Sequence, residues 1–95
     1  MHETGIVQSL IHQLQAAAID AGATRVSGVD VTLGALSQFS PEHFRQHFAE
    51  AAQGTLADGA TLRIRLSEDA GDPHAQSVMI ESIDLEVPEE ADGAP

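Results

Sequence analysis

Apolar residues near the start of the chain recur at intervals of three and four positions. This spacing places on one helix face the residues Ile6, Val7, Leu10, Ile11, Leu14, Ala17, Ala18 and Ala21. Gly22 follows them, and a glycine can close a helix in the left-handed conformation without the steric penalty of a Cβ atom. The pattern predicts a first helix over about residues 4–21.

A second helix is indicated by a hydroxyl, a proline and an acid in succession, Ser40, Pro41 and Glu42. Serine caps a helix N-terminus, proline suits the first helical position, and a carboxylate complements the positive end of the helix dipole. Phe44 and Phe48 then define a face that we expect to be buried. The predicted helix covers residues 41–53 and stops before Gly54.

Three segments that follow the first predicted helix alternate between apolar and polar residues, which predicts strands. They are residues 25–33, 60–67 and 77–87. Gly28 in the first segment and Glu81 with Ser82 in the last shift the alternation by one residue, as a β-bulge does. Residues 68–76, between the last two strands, are short enough for a hairpin loop.

The predicted order of helix, strand, helix, strand and strand favours an α+β domain of two layers. We expect a three-stranded antiparallel or mixed sheet with both helices packed on one face. Residues 1–87 then form one domain, in which the hairpin loop 68–76 joins the last two strands. The acidic tail, residues 88–95, has glycine and proline but no apolar pattern, so disorder is expected there.

The amino-acid composition of the chain excludes several classes of function. The 95 residues contain 15 acids, four arginines and no lysine, with a formal net charge of −11. Nucleic-acid binding rests on clustered basic residues, so the chain favours a metal cation or a basic protein as partner. There is no cysteine, no nucleophile elbow and no phosphate-binding loop, and we expect no enzyme. Because no apolar run has the length of a membrane span and no signal peptide is evident, we expect a cytoplasmic protein without membrane contact.

The opening residues, Met1, His2 and Glu3, offer a compact set of metal ligands. The terminal amine, the backbone nitrogens of residues 2 and 3 and the imidazole of His2 can close successive chelate rings in a flat arrangement. Ni(II) and Cu(II) favour tetragonal nitrogen sets of this kind. The Glu3 carboxylate can also orient the imidazole through a hydrogen bond. A frayed terminus without a function is the alternative interpretation of so short a pattern.

Other histidines are weaker candidates. His43 and His47 stand one turn apart on the second predicted helix, with Glu50 three residues further on. No glutamate lies inside the pair to complete a His-Glu-x-x-His motif, so we interpret both as solvated residues beside the core stripe. His74 lies in the predicted loop and is interpreted as an ordinary surface residue. Whether any of the three adds a metal ligand stays open.

Several segments together resemble one protein family. "MHE" at the start is followed in order by "RVSGVDVTLGALS", "PEHFRQHF", "GTLADGATLRI" and "SIDLEV". Over residues 1–67 and 77–87 the chain is similar to the nickel-insertion accessory proteins of NiFe-hydrogenase maturation, the HypA/HybF family. The resemblance implies a nickel metallochaperone whose opening Met1, His2 and Glu3 bind Ni(II). It also implies two partners, a nickel-handling GTPase and the hydrogenase large subunit.

One departure from the family pattern affects the expected function. Family members carry a zinc module with paired Cys-x-x-Cys motifs, where this chain has only residues 68–76. We therefore expect a form that lacks zinc and binds nickel through its terminus. The alternative is a metal-free interaction module, derived from the family, that docks on a maturation GTPase or a metalloenzyme subunit. A homodimer is compatible with either interpretation.

Overall fold

The computed structural model describes residues 3–37, 39–73 and 75–88. Two helices and three strands follow one another in the predicted order. They are α1 (Glu3–Asp20), β1 (Arg25–Leu33), α2 (Pro41–Ala52), β2 (Thr61–Leu66) and β3 (Val78–Glu86). Each predicted boundary differs from the structure by no more than one residue. Of the acidic tail, residues 88–95, all but residue 88 lie outside the described part of the chain, so the expected disorder of the tail stays a prediction.

The three strands form one mixed sheet in the order β2, β1, β3. The central strand β1 runs parallel to β2, with Val29 opposite Leu62, and antiparallel to β3, with Val29 opposite Ile83. Since β1 and β2 are parallel, the chain must cross over between them, and α2 makes this crossover. The mixed sheet confirms the α+β fold class.

The hairpin prediction for residues 68–76 was wrong. β2 and β3 both pair with β1 and not with each other, so the connection between them passes across the end of the central strand. Backbone hydrogen bonds hold it there, from Ser67 N to Leu33 O at 2.9 Å and from Gly34 N to Ser77 O at 2.9 Å. The physical reason is the burial of β1, whose side chains are the most buried of the three strands. In the central position, both edges of β1 are paired with neighbouring strands.

Two irregularities in the pairing of β1 with β3 match the predicted bulges. Val26 faces Leu85 while Gly28 faces Asp84, which leaves Ser27 as an extra residue on β1. A second shift lies where Asp30 faces Ser82 and Val31 faces Ile80, which leaves Glu81 extra on β3. Each bulge restores the inward direction of the apolar residues that follow it.

One face of the sheet packs against both helices, as predicted. The core contains side chains from β1, from both helices and from the segments around them: Val7, Leu10, Ile11, Leu14, Ala18, Val26, Val29, Val31, Leu33, Phe39, Phe44, Phe48, Ala52, Ala57 and Leu62. Phe44 is fully buried and its ring meets the edge of Phe39, with centroids 5.2 Å apart. Within the described ranges, neither helix combines the length and the hydrophobicity needed to cross a membrane.

Candidate functional site

Of the three predicted nickel ligands, only Glu3 belongs to the part of the chain that the structure describes, and it is the first residue of α1. Met1 and His2 lie outside that part, so the coordination set stays a prediction. The first N–H groups of a helix have no carbonyl partner within it, so the backbone nitrogens there make no ladder bonds that a metal would have to replace.

The start of α1 lies at the same end of the molecule as the start of α2. Val7 of α1 shares a depression of about 270 Å³ with His47 and Ala51 of α2. Further along, the Gln15 side chain accepts a hydrogen bond from Leu56 N, beyond the end of α2, at 3.1 Å. The two helices thus run side by side in the same sense. Both run opposite to β1, because each is joined to an end of that strand by a short connection.

The connection between β2 and β3 closes this end of the molecule. A groove of about 590 Å³ runs between the first turns of α1, at Gly5 and Ile6, and the start of β3, at Ser77 and Val78. The side chain of Ile6 forms part of the groove wall, and the residue is 45% exposed to solvent. One surface, which we call the terminal face, is therefore surrounded by the helix starts, the ends of β1 and β2, and the described residues of the connecting segment, 67–73 and 75–77. In parallel strand–helix–strand units, ligands commonly bind at the carboxyl ends of the strands.

The two histidines of α2 lie beside this surface. Ser40 caps the helix and accepts a hydrogen bond from His43 N at 3.1 Å, as the sequence predicted. The rings of His43 and His47 are neighbours, with centroids 4.8 Å apart and planes inclined by 66°. In the ranges that the structure describes, no three His, Asp or Glu residues are grouped so as to hold a metal ion. His74 lies outside those ranges.

The sheet face away from the helices carries a charged network. Arg63 on β2 donates from Nε to Asp30 Oδ1 on β1 at 2.6 Å and from Nη2 to Asp84 Oδ2 on β3 at 2.6 Å. Ser82 donates a short hydrogen bond to the same Asp30 carboxylate. Gly28 leaves room for this arrangement, since a Cβ there would lie 2.7 Å from Asp84 Oδ2. The network ties all three strands together on the open face.

Hydrogen bonding sets the charges in this network. The bond from Arg63, and then that from Ser82, lowers the pKa of Asp30 below its ordinary value. The bonds to Asp30 and then Asp84 raise the pKa of the Arg63 guanidinium further. Both shifts favour the charged forms, so the groups remain an ion pair and hold no proton to exchange near neutral pH. We read the network as a structural clamp on an exposed surface.

The sequence analysis did not predict this network, although the alternation in the segments 25–33 and 60–67 puts Asp30 and Arg63 at polar positions. Alternation shows which residues share a face of one strand but not which strands are neighbours. The register supplies that information, since Asp30 faces Arg63 on one side and Ser82 on the other. The opposite charges at Asp30 and Arg63 were a usable signal once β1 and β2 were taken as partners.

Comparison with known proteins identifies the family to which the chain belongs. A family model described as "Hydrogenase/urease nickel incorporation, metallochaperone, hypA" matches residues 1–72. The chain belongs to the HypA family. The match includes Met1, His2 and Glu3, and it ends inside the segment that links β2 to β3. It confirms the family that the sequence motifs predicted.

Individual relatives agree with this assignment. The hydrogenase maturation factor HypA of Chlorobium limicola is 44% identical over 64 residues, which are 67% of this chain and 55% of the relative. The maturation factor HybF of Salmonella typhimurium is 42% identical over 64 residues, 67% of this chain and 57% of that protein. The chain thus spans little more than half the length of the curated HypA relatives that it matches.

A solved structure shares the fold. The solution structure of the Ni metallochaperone HypA from Helicobacter pylori superposes with a TM-score of 0.78 and covers 93% of this chain and 100% of that one. Sequence identity in this comparison is 19%, so the likeness concerns the fold. The α+β arrangement described above is accordingly a HypA fold, built here from residues that include no cysteine.

Proposed function

We propose that this HypA-family chain is a nickel metallochaperone that binds Ni(II) at its start, through Met1, His2 and Glu3. The observation that carries the proposal is the family match, which begins at residue 1 and includes all three residues. The position of Glu3 as the first residue of α1 supports it, because the backbone nitrogens at a helix start are not engaged in the hydrogen bonds of the helix. Nickel is here the cargo of the protein, and no reaction is catalysed.

Chelation must overcome the positive end of the helix dipole, which disfavours a cation. In the proposed site the backbone nitrogens of residues 2 and 3 lose their protons, and the two negative charges formed balance the divalent ion. The surroundings also favour a cation, since the chain carries a formal net charge of −11. Arg63 and Arg25 do not offset this at the terminal face, because they lie on the sheet, paired with Asp30 and Asp84 and with Glu86.

We further propose that the bound nickel is delivered during hydrogenase maturation, as the names of the relatives suggest. A nickel-handling GTPase and the hydrogenase large subunit are the partners that this role requires. The terminal face is the docking region that suits it best, since a partner bound there has the proposed ligands within reach. The groove beside Ile6 supplies apolar area for such a contact.

A metal-free interaction module is the second candidate, and the absence of cysteine favours it. These 95 residues cannot form the thiolate zinc site of the family pattern, so one of its two metal functions is missing from them. In that case the terminal face would serve for docking alone. Nickel binding by the untagged protein separates the two candidates.

The decisive experiment is a nickel titration of three proteins in which calorimetry measures affinity and stoichiometry and visible absorption reports the coordination geometry. They are the untagged protein, the same protein with one residue added before Met1, and the variant His2→Ala. We expect one tightly bound equivalent with the absorption of square-planar nickel in the first, and loss of that band in the other two. Far-UV circular dichroism should show an unchanged fold, because none of the changes touches the core.

Equal nickel affinity and equal spectra in all three proteins would refute the chelate of Met1, His2 and Glu3. The metal-free module would then be the better description. In that case a pull-down with the purified GTPase, in the presence of a chelator, should still recover the complex.

A further inference from the structure

The histidine pair of α2 has no role in the proposed terminal chelate. His43 and His47 are separated by one helical turn, and their ring centroids are 4.8 Å apart. His43 is exposed and His47 is partly exposed, at the rim of the depression that it shares with Val7 and Glu50. Helix geometry alone brings residues i and i+4 together, so the spacing of the pair is fixed by a rigid element.

The separation of the two rings, which now make an edge-to-face contact, is also compatible with a shared metal ion. Two imidazoles bound to one ion at about 2.1 Å, with an angle of about 90° to 110° between the bonds, have their centroids about 4.5 to 5.3 Å apart. The observed 4.8 Å lies within this interval. Chelation requires the rings to turn out of their present edge-to-face contact and to exchange their present interactions for the metal, so that one nitrogen of each ring is directed to a common point.

We propose that His43 and His47 chelate a divalent transition metal ion on the surface of α2. Imidazole is a good ligand for nickel, copper and zinc, and two histidines supply two of the ligands. Because no third His, Asp or Glu is grouped with them in the described ranges, water or a donor from another molecule fills the other positions. A site with two protein ligands releases its ion more readily than a closed site.

The charges around the pair suit a cation. Glu42 and Glu50, both exposed, lie on the same helix within one turn of a histidine. The arginine of this helix, Arg45, is directed elsewhere, since its Nη1 donates to Leu62 O on β2 at 2.7 Å. Its guanidinium is thus held at the sheet and not at the histidines. The field at the pair is therefore set by carboxylates more than by arginines.

The location of the pair connects it with the terminal face. His47 and Val7 line one depression, and Val7 lies four residues after the first residue of α1, about 6 Å along the helix axis. An ion on the histidine pair would therefore lie about one or two helical turns from Glu3. The proposal nevertheless stands without nickel at Met1, His2 and Glu3, because its ligands all belong to α2.

A crossed set of nickel titrations tests the pair separately from the terminus. The variant His2→Ala removes the proposed terminal site, and we expect it to keep one bound equivalent of nickel. Adding either His43→Ala or His47→Ala to that variant should weaken the remaining binding at least tenfold, since a chelate needs both rings. NMR of the ring protons should show paramagnetic broadening of both histidines by Ni(II) in the His2→Ala protein.

The matched control is His12→Ala, also added to the His2→Ala variant. His12 is an exposed histidine on α1, away from the pair, and its loss should leave nickel binding unchanged. The variant His47→Gln keeps a polar side chain at the partly buried position and should weaken binding as His47→Ala does. If the His2→Ala protein binds no more nickel than the variant lacking all three histidines, or if only one histidine of the pair matters, the proposal is wrong.

Discussion

Replacing Gly5 by alanine tests whether the start of α1 must loosen to bind nickel. Gly5 is the third residue of the helix, and a Cβ atom there would meet nothing within 4 Å. The substitution therefore adds neither a clash nor a contact, and only helix propensity changes. Glycine within a helix is about 0.5–1 kcal/mol less favourable than alanine.

The same free energy should oppose metal binding. The proposed chelate holds the backbone of residues 2 and 3 in a flat arrangement, which differs from a helical turn, so a first turn stabilised by alanine should resist its formation. A penalty of about 0.5–1 kcal/mol corresponds to about a two- to fivefold weaker affinity for nickel. We expect Gly5→Ala to raise the free energy of unfolding in urea and to lower nickel affinity, by amounts that agree with each other. Calorimetry with the untagged protein measures the second quantity.

Ser9→Ala is the matched control. Ser9 is also exposed on α1 but lies one turn further on, and alanine there favours the helix without strengthening its first turn. It should raise stability and leave nickel affinity unchanged. A Gly5→Ala protein that is more stable and binds nickel as tightly as the wild type would show that the terminus binds without unwinding, which contradicts the reasoning above.

Three further predictions concern the fold. Phe44→Ala should lower the free energy of unfolding by about 3–5 kcal/mol, because the ring is fully buried against Phe39; a urea midpoint close to that of the wild type would contradict this. Ser40→Ala should lower the free energy of unfolding by about 0.5–2 kcal/mol, because the N-cap of α2 is lost, whereas Ser40→Asp should keep the stability of the wild type in the same urea assay. Asp30 has a lowered pKa when folded, so its bond to Arg63 stabilises the protein above the ordinary carboxyl range and is lost as pH falls through the folded pKa. Asp30→Asn should therefore be less stable than the wild type at neutral pH and equal to it in strong acid, as measured by urea unfolding at each pH.

Local patterns predicted the elements of this fold well. Ser40 and Gly22 mark helix ends by their own chemistry, and the structure shows the cap at the first and φ of 73° at the second. The bulges were visible because an extra residue shifts the alternation wherever it stands, as at Glu81. Each of these signals lies within a few residues of the feature that it predicts.

The order of the strands could not be read in the same way. Residues 68–76 are long enough either to turn back as a hairpin or to cross one strand, since neighbouring strands are only about 4.8 Å apart. The choice depends on which strand gains most from being central, and β1 buries Val26, Val29, Val31 and Leu33. The contact between Asp30 and Arg63 follows from that choice, so the charged network was missed for the same reason.

The strand order also explains why the starts of both helices and the ends of β1 and β2 lie at one end of so small a domain. Because β1 and β2 are parallel and α2 joins them, α2 must start where β1 ends. Because α1 precedes β1 by a short turn and packs beside α2, it starts at that end too. The connection from β2 to β3 ends there as well, and its residues Gln76 and Ser77 form one wall of the groove with Gly5 and Ile6. The central position of β1 thus brings the start of α1, the start of α2 with its histidine pair and this groove to one end of the molecule.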